Sequence, residues 1–296
     1  MDRLTLGVRP GERFGLLGVN GAGKSTTLKT LCGEHAPTSG SARVCGRSVT
    51  SDSAGARRVM GYCPQFDPLL DLMTGRETAE MYARLKGASR ADAPAAADAV
   101  LRAVGLSRLA HRPCGEYSGG NRRKLSLAVA LVGDPRVLLL DEPSSGMCPL
   151  GRRMMWDAVE RSAAGKTVVL TTHAMDECEA LCERVGMMAE GKLRCLGSAQ
   201  HLKGRFGGGY AMDVKMSAAA TSSVVDDVFA EVAAAAPEGT VRMVERAGAR
   251  VKIRVEGREA LAAAFVVGER RRAEGALEHY AVTQSSLEDV FVRVCE

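Results

Sequence analysis

The stretch Gly18-Val19-Asn20-Gly21-Ala22-Gly23-Lys24-Ser25 constrains this chain more than any other. It matches G-x-x-x-x-G-K-[ST], directly after the apolar run Phe14-Gly15-Leu16-Leu17 and before a helix-compatible segment that starts at Lys24. Strand, glycine-rich turn and helix in that order make a cradle, because successive backbone N–H groups can curl round a phosphate at the positive end of the helix. The cradle residues are Gly18, Asn20, Gly21, Ala22, Gly23, Lys24, Ser25 and Thr26. Lys24 would reach the β- and γ-phosphates as a point charge, and the Ser25 hydroxyl would ligate Mg²⁺. Thr26 continues the helix with its hydroxyl near the α-phosphate. The bland alternative is a chance glycine-rich turn, which the flanking strand and helix pattern disfavours.

Further along, Val137-Leu138-Leu139-Leu140 and Thr167-Val168-Val169-Leu170-Thr171 read as strands buried on both faces. Buried strands separated by helices predict an α/β fold with a mostly parallel sheet between helical layers. Residues 76–132 lack strand patterning and are rich in alanine, which predicts a helical insertion. Two acids, Asp141 and Glu142, end one buried strand, at the mouth of the sheet where ligands bind. Asp141 suits a magnesium shell through water. Glu142 would point the other way by strand alternation and polarise an attacking water. Adjacent acids alone usually mean a solvated loop; a strand end downstream of a phosphate loop favours function. His173 ends the other strand, and its residue type leaves it open between a site histidine and a satisfied core residue. Gln65, in Tyr62-Cys63-Pro64-Gln65-Phe66-Asp67, would by itself be passed over.

The net charge of +5 is too small to argue for nucleic acid and is compatible with weak attraction to an acidic membrane face. The run Arg270-Arg271-Arg272 reads as a solvated helix face. Nine scattered cysteines predict reduced thiols rather than a disulfide framework, and Cys178 with Cys182 lacks the second pair that a zinc site would need. No run approaches the roughly 20 apolar residues of a membrane span, so neither a transmembrane helix nor a signal peptide is expected. The triplet Gly207-Gly208-Gly209 suits a flexible joint, which places a first domain at 1–206 and a second at 207–296. In the second, alternation at Tyr210–Met216 and at Val251–Glu256, a hairpin about Gly248 and a strand near Tyr280–Thr283 predict strands. A helical face with Val224, Val225, Val228, Phe229 and Val232, and a helix from Glu259, complete a βαββαβ order, the small α+β ferredoxin-like motif. A helix from Leu287 to Val294 closes the chain.

The residues Tyr117-Ser118-Gly119-Gly120-Asn121, followed by Arg122-Arg123-Lys124-Leu125-Ser126, resemble the signature of the ABC transporter family. The leading Tyr, the trailing Asn and Gly61-Tyr62-Cys63-Pro64-Gln65-Phe66-Asp67 are similar to subfamily A, which largely handles lipids and sterols. So are Cys195-Leu196-Gly197-Ser198, His201-Leu202-Lys203 and Leu287-Glu288-Asp289-Val290-Phe291, and the resemblance covers nearly the whole chain. It implies a P-loop NTPase of ABC type, acting as the ATP-hydrolysing module of a transporter, with ATP and Mg²⁺ as cofactors; since every phosphate-handling motif ends by His173, the C-terminal domain is expected to be a regulatory or docking domain with no catalytic part. Gln65 then looks like the glutamine that senses Mg²⁺ and water and couples to the membrane domain, His173 like the switch histidine, and Glu142 like the catalytic base. Ser118, Gly119, Gly120 and Asn121 would act on the nucleotide held by a second, opposed cassette. The implied partners are that cassette and transmembrane domains, with no nucleic acid, at the cytoplasmic face of a membrane.

Two features depart from the family. Cys148 stands in Ser144-Ser145-Gly146-Met147-Cys148 where aspartate is usual, which puts tight coupling between paired sites in question. The aromatic residue that usually stacks on adenine lies upstream of the phosphate loop, and a chain beginning Met1-Asp2-Arg3 starts too late to hold it, as expected of a piece of a longer polypeptide. A relative acting on DNA or ribosomes would need a coiled-coil insertion or tandem cassettes, and residues 26–136 show no sustained heptads. The alternative reading is a nucleotide-gated interaction module without turnover.

Overall fold

The computed structural model describes residues 1–217 and 223–295; the side chains of residues 223–225 lie outside the described set, and with them the expected helical face of Val224 and Val225. The chain forms two compact units, Met1–Ser198 and Ala199–Glu296.

The first unit is built on a six-stranded sheet in the spatial order Met60–Cys63, Val137–Asp141, Thr167–Thr172, Arg13–Gly18, Arg184–Ala189, Lys192–Gly197. The first five strands run parallel, and the last is antiparallel to its neighbour. Strand pleating explains the unbroken apolar run at 137–140. Leu138 and Leu140 pack on one side with Leu125, Leu127 and Met155, while Val137 and Leu139 pack on the other with Phe14, Leu16 and Leu28. A sheet covered on both faces needs apolar residues at both phases of the alternation. Each fully buried leucine contributes roughly 1.5–3 kcal/mol.

Residues 75–131 hold the helices Gly75–Leu85, Ala93–Ala103 and Gly119–Leu131, with short 3₁₀ turns between them. The first starts where Thr74 and Glu77 close a reciprocal cap. The Glu77 N–H donates to Thr74 Oγ1 at 3.1 Å, and the Thr74 N–H donates to Glu77 Oε2 at 2.8 Å. The third helix lies directly on the edge strand. A β-carbon at Gly61 would sit 1.8 Å from the carbonyl oxygen of Ala130, a distance that backbone cannot relieve cheaply. Gly61→Ala is therefore expected to destabilise the unit by about 3 kcal/mol, at the upper end of overpacking effects. A thermal melt within a degree or two of wild type would contradict this close approach.

The second unit has a four-stranded antiparallel sheet in the order Val241–Ala247, Arg250–Val255, Tyr210–Met216, Leu277–Gln284. In chain order that is 2-3-1-4, the arrangement of a split βαββαβ motif. The helices Ser223–Ala234 and Arg258–Ala273 belong to the same core, in which Met212, Val214, Val228, Ile253, Ala264 and Val267 meet. The glycine triplet is not a loose joint. The unit begins before it, with the helix Ala199–Phe206, and a β-carbon at Gly209 would lie 2.3 Å from the carbonyl oxygen of Val255. Gly209 sits at φ 93°, so glycine here meets a close backbone approach rather than a need for flexibility.

Candidate active site

The phosphate loop joins the strand Arg13–Gly18 to the helix Lys24–Leu31. Gly21 and Gly23 have φ of 83° and 102°, the left-handed turn that lets consecutive amides face one point. Lys24 is buried, and its Nζ donates to the carbonyls of Gly18 at 2.7 Å and Val19 at 3.2 Å. The amine is thereby folded back across the mouth of the loop. Ser25 Oγ donates to Asp141 Oδ1 at 2.9 Å. Asn20 and Thr26 are exposed, while Ala22 is buried behind the loop.

Asp141 is the last residue of its strand, and its Oδ1 also accepts from Thr171 Oγ1 at 2.5 Å. Glu142 departs from the alternation argument. It lies beyond the strand at φ 47°, so a left-handed turn, not the pleat, aims its side chain. Its N–H donates to the Thr171 carbonyl at 3.0 Å. Its buried carboxylate gathers the remaining candidates: Lys24 Nζ at 3.5 Å from Oε1, Gln65 Nε2 donating to Oε2 at 3.2 Å, and His173 Nδ1 at 3.3 Å from Oε2. The His173 side chain is 53% exposed, which excludes the reading as a buried core residue.

The signature residues are elsewhere. Ser118 caps the helix Gly119–Leu131, its hydroxyl accepting from the Asn121 N–H at 3.4 Å. Ser118 and Gly119 are exposed. Among the described residues, no hydrogen bond or ion pair joins 118–121 to the phosphate loop. Cys148 proves to be the N-cap of the helix Pro149–Ser162, with Sγ accepting from the Gly151 N–H at 3.4 Å. The thiol thus takes the local hydrogen-bonding place that a carboxylate would fill, as a weaker acceptor.

Two polar residues at this site are invisible in the motifs. Arg123 is buried and bonds to the segments that carry Gln65 and Glu142. Glu177 is buried in the helix Met175–Leu181, where Trp156 Nε1 donates to its Oε1 at 3.1 Å. Burial pushes the Glu177 carboxyl up from its ordinary value, and hydrogen bonds with Ser144, Thr172 and Trp156 oppose the rise. The same Trp156 Nε1 also donates to Ser144 Oγ at 3.4 Å, in the loop after Glu142. The only sequence signal for Glu177 is its helical spacing with the buried Cys178 and Leu181; for Arg123, inside a basic run, there is none.

The ABC transporter family profile matches residues 1–145. The human phospholipid-transporting ATPase ABCA3 is 46% identical over 294 residues, 99% of this chain and 17% of that protein. The mouse ATP-binding cassette sub-family A member 7 is 45% identical over 294 residues, 99% of this chain and 13% of that protein. The chain thus spans less than a fifth of the length of these curated relatives. Among solved structures, an ATP binding subunit of an ABC transporter superposes with a TM-score of 0.61 at 28% identity, covering 69% of this chain and 85% of that one. A dimeric bacterial ABC transporter cassette shares the fold, with a TM-score of 0.59 at 24% identity over 65% of this chain and 88% of that one. With its phosphate loop, paired acids and signature in this order, and with such relatives along nearly its whole length, the chain belongs to the ABC transporter family, in subfamily A.

Proposed function

We propose that this chain is the ATP-binding and ATP-hydrolysing module of a membrane transporter, with lipid as the class of cargo. The observation that carries the reading is the convergence of Lys24, Gln65 and His173 on the Glu142 carboxylate at the mouth of the sheet. The residues fit the nucleotide: left-handed glycines shape an amide cradle, and a buried ammonium stands at its mouth. They also fit Mg²⁺, because the Ser25 hydroxyl, the Asp141 carboxylate and the Gln65 amide make an oxygen-rich set of the kind that hard cation takes. When bound, the ion would neutralise phosphate charge. Lys24 orients the terminal phosphates. Glu142 accepts a proton from the attacking water, and Gln65 and His173 hold its carboxylate in place.

The lipid cargo and the membrane setting draw support from relatives described as phospholipid-transporting ATPases. Among the described residues no helix is long and apolar enough to cross a membrane; the partners in this reading are the transmembrane domains of the transporter. The phosphate-handling motifs lie within the first unit, and the second acts as a regulatory domain.

The site works in pairs. The exposed Ser118 and Gly119 open the helix Gly119–Leu131, whose positive N-terminal end suits an anion that another cassette presents. Without that second cassette the transition state lacks the N–H donors of that helix end, and loss of one such donor commonly lowers the rate on the order of 10²-fold. Phosphate release per mole of chain is therefore expected to rise with chain concentration. Turnover strictly linear in protein, down to concentrations where the chain is monomeric by ultracentrifugation, would refute the paired site.

A further inference from the structure

One buried guanidinium joins the signature helix to both loops of the hydrolytic site. Arg123 lies in the helix Gly119–Leu131 and is 5% exposed. Its Nε donates to the Pro143 carbonyl at 3.0 Å, and its Nη2 to the carbonyls of Asp141 at 2.7 Å and Glu142 at 3.2 Å. Its Nη1 donates to the Pro64 carbonyl and to Asp67 Oδ1, the latter at 3.2 Å. The same Asp67 oxygen accepts from Ser126 Oγ at 2.7 Å, three positions along the same helix. Asp67 is thus the counter-charge, and it also holds the guanidinium in register with its own helix.

The acceptors reveal the task. A buried arginine needs one carboxylate to be neutral, yet four of these five acceptors are main-chain carbonyls. Three are consecutive and bracket Glu142, whose left-handed backbone costs on the order of 1–3 kcal/mol and persists only where its surroundings over-determine it. The fourth immediately precedes Gln65. Thr171 holds the Glu142 N–H from the neighbouring strand, so the turn is clamped on both sides. A planar fork with fixed N–H directions can satisfy carbonyls on two separate loops, whereas a lysine ammonium offers only a point charge.

We propose that Arg123 is a positioning residue: it fixes the turn at Glu142 and the loop of Gln65 in the arrangement that brings their side chains together, and ties both to the signature helix. In a paired assembly that helix serves the opposite nucleotide, so the guanidinium links one site mechanically to the other. The kinetic consequence rests on the ATPase reading above; the structural one does not.

The test compares the whole chain with its Arg123→Lys and Asp67→Asn variants by hydrogen–deuterium exchange, MgATP calorimetry and phosphate release. In Arg123→Lys, exchange is expected to quicken in 63–67 and 141–145 but not in the strand Arg13–Gly18 or the helix Lys24–Leu31. A misplacement of this kind should lower kcat roughly 10- to 100-fold while ATP affinity stays within about threefold. A merely structural role would raise exchange throughout and leave the kcat of the folded fraction unchanged; that result, or wild-type exchange in both segments, overturns the proposal. If Arg123→Lys does not fold, Asp67→Asn retains the four main-chain bonds and should show the same local pattern at smaller amplitude, and its absence is equally decisive. Should the wild-type chain release no phosphate, the ATPase reading fails, while the exchange comparison still decides the role of Arg123.

Discussion

Replacing Glu142 by glutamine should leave MgATP bound and slow its hydrolysis by roughly 10²- to 10⁴-fold, the usual contribution of a positioned general base. The amide has nearly the shape of the carboxylate and can still accept from Gln65, so the turn is expected to survive. What disappears is, among the described residues, the one acidic side chain that Lys24, Gln65 and His173 all approach. Binding should be unchanged or tighter, because Lys24 loses a competing partner 3.5 Å away and is freer to face phosphate. Calorimetry and steady-state phosphate release report the two quantities separately. Near wild-type turnover in this variant would remove Glu142 from the role of base.

Lys24→Ala should fail in the opposite way, through affinity. The ammonium is buried and held by two loop carbonyls, so its removal strips the cradle of its charge and its internal brace at once. Truncating one partner of a buried charged contact costs about 2–5 kcal/mol. That converts to a loss of roughly 30-fold to several thousandfold in MgATP affinity. Titration calorimetry on the folded variant checks it, and an unchanged Kd would mean that the amine does not touch the nucleotide. A single scheme predicts opposite signatures for two residues 3.5 Å apart: one variant binds without hydrolysing, the other scarcely binds.

The capping geometry at Cys148 refines the reading of that residue. From sequence it reads as a lost carboxylate in a loop that crosses between cassettes. In the structure its sulfur caps a helix, so the local capping role survives in weakened form. On the paired-site proposal, any deficit belongs to contacts with a partner.

The local parts of the candidate site are legible in the sequence, for a physical reason. A phosphate cradle needs left-handed glycines at fixed spacing, a buried two-faced strand needs an unbroken apolar run, and an acid at the strand's end lies at the mouth of the sheet. Each of these is written in consecutive residues, as at Gly18–Ser25 and Val137–Glu142. The signature turn of Ser118–Asn121 is legible in the same way, as a hydroxyl cap before a helix. Where bonds join residues remote in sequence, the pattern was silent. Arg123 looks like one charge in a basic run until Pro64, Asp141 and Glu142 fold round it, and Glu177 looks like a helix-surface acid until Trp156 closes over it. For Glu142 the sequence gives the residue type and its place at the strand end but not its direction, since its left-handed turn is held by Thr171 and Arg123, both remote in the chain. The glycines at 207–209 carry the same lesson: composition alone suggests a hinge, whereas close packing against the Val255 carbonyl explains why the side chain at Gly209 is missing. Sequence determines what each backbone segment can do alone; which buried polar groups share acceptors is decided only when the sheet brings distant strands side by side.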